Sequence, residues 1–149
     1  YELAKLLCNI PRLTIITPSI TIASLLHGNS DNKIFFLGGW IRSTEPSVHG
    51  NTTLNTLKEF HVNKNIMSCA GISVESGITD YLEEDAAIKR QAIKCGEKRI
   101  VMADHTKFGR SALITAAAID QVDEIYTNAE VGEEKVAQIR EKGIELILV

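Results

Sequence analysis

Asp80-Tyr-Leu-Glu-Glu-Asp-Ala-Ala-Ile-Lys-Arg-Gln-Ala-Ile-Lys-Cys-Gly-Glu-Lys98 runs into Arg99-Ile-Val-Met-Ala103 and then into Asp104-His-Thr-Lys-Phe-Gly109. The first part repeats apolar residues at helical spacing, the second is a short apolar run, and the third is a polar turn closed by glycine. Helix, strand and turn in that order form half of a parallel βαβ unit, in which the strand delivers its last residues to the rim of a sheet. Asp104 and Lys107 arrive at that rim three residues apart. A carboxylate accepts hydrogen bonds from hydroxyls and an ammonium meets negative charge, so the pair suits a hydroxylated anion. The competing reading is a solvated turn with an ordinary surface ion pair.

On a helical wheel, Leu82, Ala86 and Ile93 cluster, and Tyr81, Ile88, Ala92 and Cys95 extend the same arc. Asp85 and Lys89 fall inside this apolar arc, four residues apart and within reach of each other. An inward charge pair is costly unless partnered, and such pairs occur at functional sites as well as under loops as structural plugs. Because this helix feeds the strand that carries Asp104 and Lys107, one crevice lined by all four charges is expected. Asp80 with Glu83 has the spacing of an Asx capping box, so the helix is expected over 80–98.

Outward from this unit, the spacing predicts a helix over 1–8 ended by Pro11, a strand over 13–17, and a helix over 20–27 started by Pro18 and Ser19. A turn over 28–32, a strand over 33–37 ending at Gly38-Gly39 and a polar loop to Gly50 follow. Thr52 or Thr53 is expected to cap a helix running to Phe60. Then come a strand over 65–70, a glycine-containing loop over 74–79, a strand with a helical turn within 111–119 and a strand over 124–127. A helix over 132–142 stopped by Gly143 and a strand over 144–149 end the chain. Alternating strands and helices predict an α/β fold, a mostly parallel sheet with helices on both faces, within one domain spanning 1–149. Further ligand contacts are expected at carboxyl strand ends: Thr17 before a helix N-terminus, Gly38, Gly71 and Ser73.

A chain of 149 residues buries enough surface, roughly 70% of that of its unfolded form, to need no staples. Sixteen basic against nineteen acidic residues argue against a nucleic-acid footprint in this chain. Cys8, Cys69 and Cys95 are odd in number and far apart, which favours reduced thiols and a cytoplasmic location over disulfides or zinc. The histidines show no metal spacing, and no metal or cofactor is expected. The apolar run 13–26 is too short and too interrupted to span a membrane, and no signal peptide opens the chain. Tyr1 already reads as mid-helix, so a piece of a longer protein is expected.

Gly71-Ile-Ser73, Gly77-Ile-Thr-Asp80, Asp85-Ala-Ala-Ile-Lys-Arg90 and Val101-Met-Ala-Asp-His-Thr-Lys-Phe-Gly-Arg110 resemble, in order, the effector-binding domain of DeoR-type bacterial transcriptional repressors. So does Phe35-Phe-Leu-Gly-Gly39 followed by Ser47 and Gly50. The resemblance implies a Rossmann-like sensor domain, similar to ribose-phosphate isomerase folds, that binds a sugar phosphate or related metabolite. It also implies a homo-oligomer, and a winged helix-turn-helix upstream of this chain to grip operator DNA. In the family pattern a Gly-Thr-Thr-like phosphate loop lies just before the first helix, upstream of Tyr1. Three positions depart from that pattern: Asp85 stands where Glu is usual, Pro18 where Asn is usual, and Asn128 where Asp is usual. The alternatives are an isomerase-like enzyme using Asp104 or Asp85 as general base, and a domain that only oligomerises. The isomerase-type glycine-rich lysine loop is not visible, which favours the sensor.

Overall fold

A computed structural model describes residues 1–28 and 31–149, so the turn expected over 28–32 lies partly outside the described residues. The chain divides into two compact units, residues 1–57 and 58–149.

In the first unit, α1 (Glu2–Leu7) leads to β1 (Thr14–Thr17), α2 (Ile20–Leu26) and β2 (Lys33–Phe36), and β1 and β2 pair in parallel from Thr14↔Lys33 to Thr17↔Phe36. The Ser19 hydroxyl caps α2 by accepting from the Ile22 amide at 3.3 Å, as the sequence indicates. The expected loop 38–50 contains a short antiparallel pair, β3 (Trp40–Ile41) with β4 (Val48–His49). α3 (Asn51–Lys58) starts one residue earlier than its expected threonine caps. Thr53 lies within the helix, fully buried, and its hydroxyl donates to the Gly38 carbonyl at 2.6 Å. Gly39 has φ +146°, and a Cβ there would lie 2.2 Å from that hydroxyl and 2.5 Å from the His49 carbonyl, so only glycine fits.

The second unit carries the larger sheet. β5 (Val62–Met67), a hairpin of β6 (Gly71–Ser73) and β7 (Gly77–Asp80), α4 (Glu83–Cys95) and β8 (Gly96–Met102) follow in order. After the site turn come β9 (Ile114–Ala117), β10 (Glu124–Thr127), α5 (Glu133–Arg140) and β11 (Glu145–Leu148). The four-stranded sheet has the order β11-β10-β8-β5, parallel throughout, with Met67↔Val101, Tyr126↔Met102 and Thr127↔Leu148 near its carboxyl end. Ile72, Ile78, Val101 and Ile125 are wholly buried in the core beside Ile93, Phe108, Ile139 and Leu146. Each such side chain contributes about 1.5–3 kcal/mol by leaving water.

Two sequence expectations change here. The expected loop 74–79 and the expected helix start at Asp80 are instead part of a hairpin, and β6-β7-β9 form a separate antiparallel sheet. The Ser73 hydroxyl accepts from the Ser76 amide at 2.9 Å to close the hairpin turn, and Gly77 leaves it at φ +69°. Asp80 is therefore the last residue of a strand and not a helix cap; α4 begins at Glu83 with Leu82 at its N-cap. Glu83, Glu84 and Asp85 in the first turn complement the helix dipole. The helix also ends three residues earlier than expected, because Gly96 enters the sheet opposite Val62. A Cβ on Gly96 would lie 2.6 Å from that of Asn65, an approach only glycine permits.

Candidate functional site

The carboxyl ends of all four parallel strands open on one cavity of about 360 Å³. Ser68 and Cys69 follow β5, Ala103, Asp104 and Lys107 follow β8, Asn128 follows β10, and Val149 follows β11; Met102, Tyr126 and Thr127 complete the lining. This is the place where an open α/β sheet holds its ligands.

The site turn is a single 3-10 turn, His105–Lys107, capped by Asp104. Asp104 Oδ1 accepts from the Thr106 amide at 2.8 Å and from the Thr106 hydroxyl. These hydrogen bonds, with help from the nearby Lys107 charge, hold the Asp104 carboxyl below the usual carboxylate range. Phe108 is buried beneath the turn, and the Gly109 amide donates to the Ile72 carbonyl at 2.8 Å with Gly109 at φ +71°. The expected alternative, an ordinary Asp104–Lys107 ion pair, is not what forms. Among the described residues the half-buried Lys107 ammonium has neither a hydrogen bond nor an ion pair, and Asp104 Oδ2 has no donor. The cavity thus holds a cation and a carboxylate oxygen that no hydrogen bond or ion pair ties up.

Cys69 forms the wall between β5 and β8. Burial pushes its thiol up to about 12, against the pull of Lys89 and Lys107 and with the push of Asp80 and Asp104. The thiol stays protonated at neutral pH. None of the three cysteines is in a disulfide.

Of the residues singled out in the sequence, Asp104 and Lys107 meet in this cavity. Lys89 turns inward as expected, yet its ammonium bonds Asp80 Oδ2 at 2.6 Å and not the expected Asp85. Both partners are largely buried, at 16% and 11% side-chain exposure, so that pair is closed on itself. Asp85 is half-buried on the first turn of α4, and neither it nor Lys89 lines the cavity. Gly71 is a packing glycine: its missing Cβ would lie 2.5 Å from the Arg110 carbonyl, where the chain leaves the site turn. Ser73 closes the hairpin turn. Thr17 and Gly38 belong to the first unit, at the carboxyl ends of β1 and β2, where the Thr17 hydroxyl accepts from the Ser19 amide at 3.1 Å. Ser68 and Cys69 escaped the sequence reading because β5 was expected to run to Ala70, which hid its true end.

Three of the four cavity strands, β5, β8 and β10, and the site turn fall within the segment that matches a known family: the DeoR C terminal sensor domain matches residues 1–129. The chain belongs to this family. Among individual relatives, the HTH-type transcriptional repressor GlcR of Bacillus subtilis (strain 168) is 30% identical over 135 residues, covering 91% of this chain and 52% of that protein. The glycerol-3-phosphate regulon repressor of Escherichia coli (strain K12) is 29% identical over 126 residues, covering 85% of the chain and 50% of the repressor. The putative aga operon transcriptional repressor of Escherichia coli O157:H7 is 24% identical over 149 residues, covering 100% of the chain and 55% of the repressor. The sensor domain thus spans about half the length of the curated relatives it matches. Among the described residues no helix is long and apolar enough to cross a membrane, and no cluster of three or more His, Cys, Asp or Glu is poised to hold a metal ion.

Proposed function

We propose that this chain is the effector-sensing part of a DeoR-type transcriptional repressor of sugar metabolism, and that the cavity at the carboxyl ends of β5, β8, β10 and β11 binds a phosphorylated sugar or related polyol phosphate. The observation that carries this reading is that the Lys107 ammonium, with no hydrogen bond or ion pair among the described residues, shares one cavity with the Asp104 carboxylate. A phosphate monoester supplies the charge that Lys107 lacks, and the sugar hydroxyls supply the donors that Asp104 lacks. The names of two relatives, repressors of a glycerol-3-phosphate regulon and of an aga operon, agree with a ligand of this class. Operator binding belongs in this reading to a helix-turn-helix elsewhere in the full-length protein, in the cytoplasm and as a homo-oligomer. The effector acts through its differential affinity for two states of the repressor. In the same reading residues 1–149 are one effector-binding domain, Gly71, Ser73, Asp85 and Lys89 support the second unit, and Thr17 and Gly38 remain candidate contacts at the carboxyl ends of β1 and β2.

The lowered Asp104 carboxyl supports binding without turnover. A general base works best with a pKa near the operating pH, and Asp104 is shifted away from it. The test is a thermal-shift panel of ribose, fructose and glycerol phosphates, with product analysis of each mixture. A ligand at 100 times its Kd adds about 2.7 kcal/mol, or about 5–10 °C for a domain of this size. One member of the panel raises the midpoint in this range and is recovered unchanged. Turnover would support the isomerase-like reading instead, and a flat panel in the full-length protein would remove the sensor reading.

A further inference from the structure

Lys107 lies on a turn of three residues, and the turn is gripped at both ends by one stretch of chain, residues 128–135, of which Asn128 also lines the cavity. At its start, Asn128 Oδ1 accepts from the His105 amide at 2.7 Å, while the Asn128 amide nitrogen lies 2.8 Å from His105 Nδ1 and also donates to Glu130. At its end, Lys135 donates from Nζ to the Phe108 carbonyl at 2.9 Å. The absent side chain of Gly109 makes room for this: a Cβ there would lie 3.1 Å from Lys135 Cε and 3.2 Å from Nζ. Lys135 sits in the first turn of α5, where a cation opposes the helix dipole. Its carbonyl partner offsets that placement. Asn128 is equally particular, because a carboxylate there cannot donate to Glu130 and would face the Glu130 charge.

We propose that Asn128 and Lys135 are positioning residues for Lys107, a clamp that sets the site turn and ties its position to the start of α5. The proposal deepens the sugar-phosphate reading and rests on it for the ligand. Lys135 lies beyond residues 1–129, so the clamp's second jaw is outside the part of the chain that the family match covers.

The experiment is hydrogen–deuterium exchange read by mass spectrometry on the whole protein, with and without inorganic phosphate as probe. In the ligand-free protein, Lys135→Met speeds exchange of peptides spanning 103–110 at least tenfold and leaves β5 and β10 peptides unchanged, and Lys135→Arg restores the original rate. Asn128→Asp gives the same local loosening, and Asn128→Asp with Glu130→Gln recovers part of it. Wild-type exchange rates at 103–110 in both Lys135→Met and Asn128→Asp would overturn the clamp, as would uniform loosening of every peptide, which marks a merely structural role. Phosphate separates the two ideas. If phosphate slows the turn in the wild-type protein and does so equally well in the loosened variants, the clamp does not position Lys107 and the proposal fails. If phosphate leaves the wild-type turn unaffected, the ligand reading fails while the ligand-free comparison still decides the clamp.

Discussion

One oxygen of Asp104 closes the 3-10 turn through Thr106, and the other has no protein donor among the described residues. A structural role and, in the proposed reading, a ligand role therefore meet in one side chain, whereas Lys107 makes no hydrogen bond or ion pair among the described residues. Lys107→Ala is expected to abolish the ligand-induced thermal shift while changing unfolding free energy by no more than about 0.5 kcal/mol in urea. Asp104→Ala loses the cap as well and costs about 1 kcal/mol, and Asp104→Ser keeps a capping oxygen and recovers most of that stability without recovering the ligand. If Asp104→Ser binds as well as wild type, the carboxylate has no role in recognition. At this scale the sequence showed which two charged residues the strand end delivers to the cavity, and at what spacing. It did not show that they stand unpaired, because ion pairing depends on where Thr106 and the cavity wall lie. Lys89 makes the same point in reverse. Its inward position was legible from helical spacing, but its partner, Asp80, comes from a strand nine residues earlier.

The order and type of most elements were legible because apolar runs and glycine stops mark them. The β6–β7 hairpin was not, since Gly77-Ile-Thr-Asp80 reads equally well as a loop followed by a helix cap. What decides it is long-range pairing, Thr79↔Thr115 and Asp80↔Ile114, which no local signal carries. Displacing Asp80 into the strand also moved the start of α4 and exchanged the partner of Lys89. The hairpin depends on Gly77: a Cβ there would lie 2.1 Å from the Ala117 carbonyl, at φ +69°. Gly77→Ala is expected to cost at least about 2 kcal/mol, read as a lower urea midpoint. An unchanged midpoint would mean that β9 yields freely and that the antiparallel sheet adds little.

Across the molecule, the sheet that presents the cavity is fastened at its opposite end by charge. Arg99 donates from Nε and an η-nitrogen to the two oxygens of Asp123 at 2.9 and 2.7 Å, and Lys98 pairs with Glu124. Asp123 is held below its ordinary value chiefly by Arg99, Glu124 chiefly by Lys98, and Asp104 chiefly by Thr106. A depressed folded-state value means stability that is present above the unfolded value and lost as pH falls through the folded one. Lys98 and Arg99 are shifted upward, so both stay charged across the neutral and acid range. The urea midpoint is therefore expected to be level across neutral pH and to fall once pH drops below the ordinary carboxylate values of 3.8 and 4.5, less steeply in Asp123→Asn. The central claim is more specific: one lysine at the carboxyl end of this sheet holds the effector's phosphate. Titration calorimetry of the phosphorylated sugar that gives the largest thermal shift, run on wild type and on Lys107→Ala, tests it most directly. Saturable heat in wild type and none in a folded Lys107→Ala is the predicted result; equal affinity in the two proteins would contradict it.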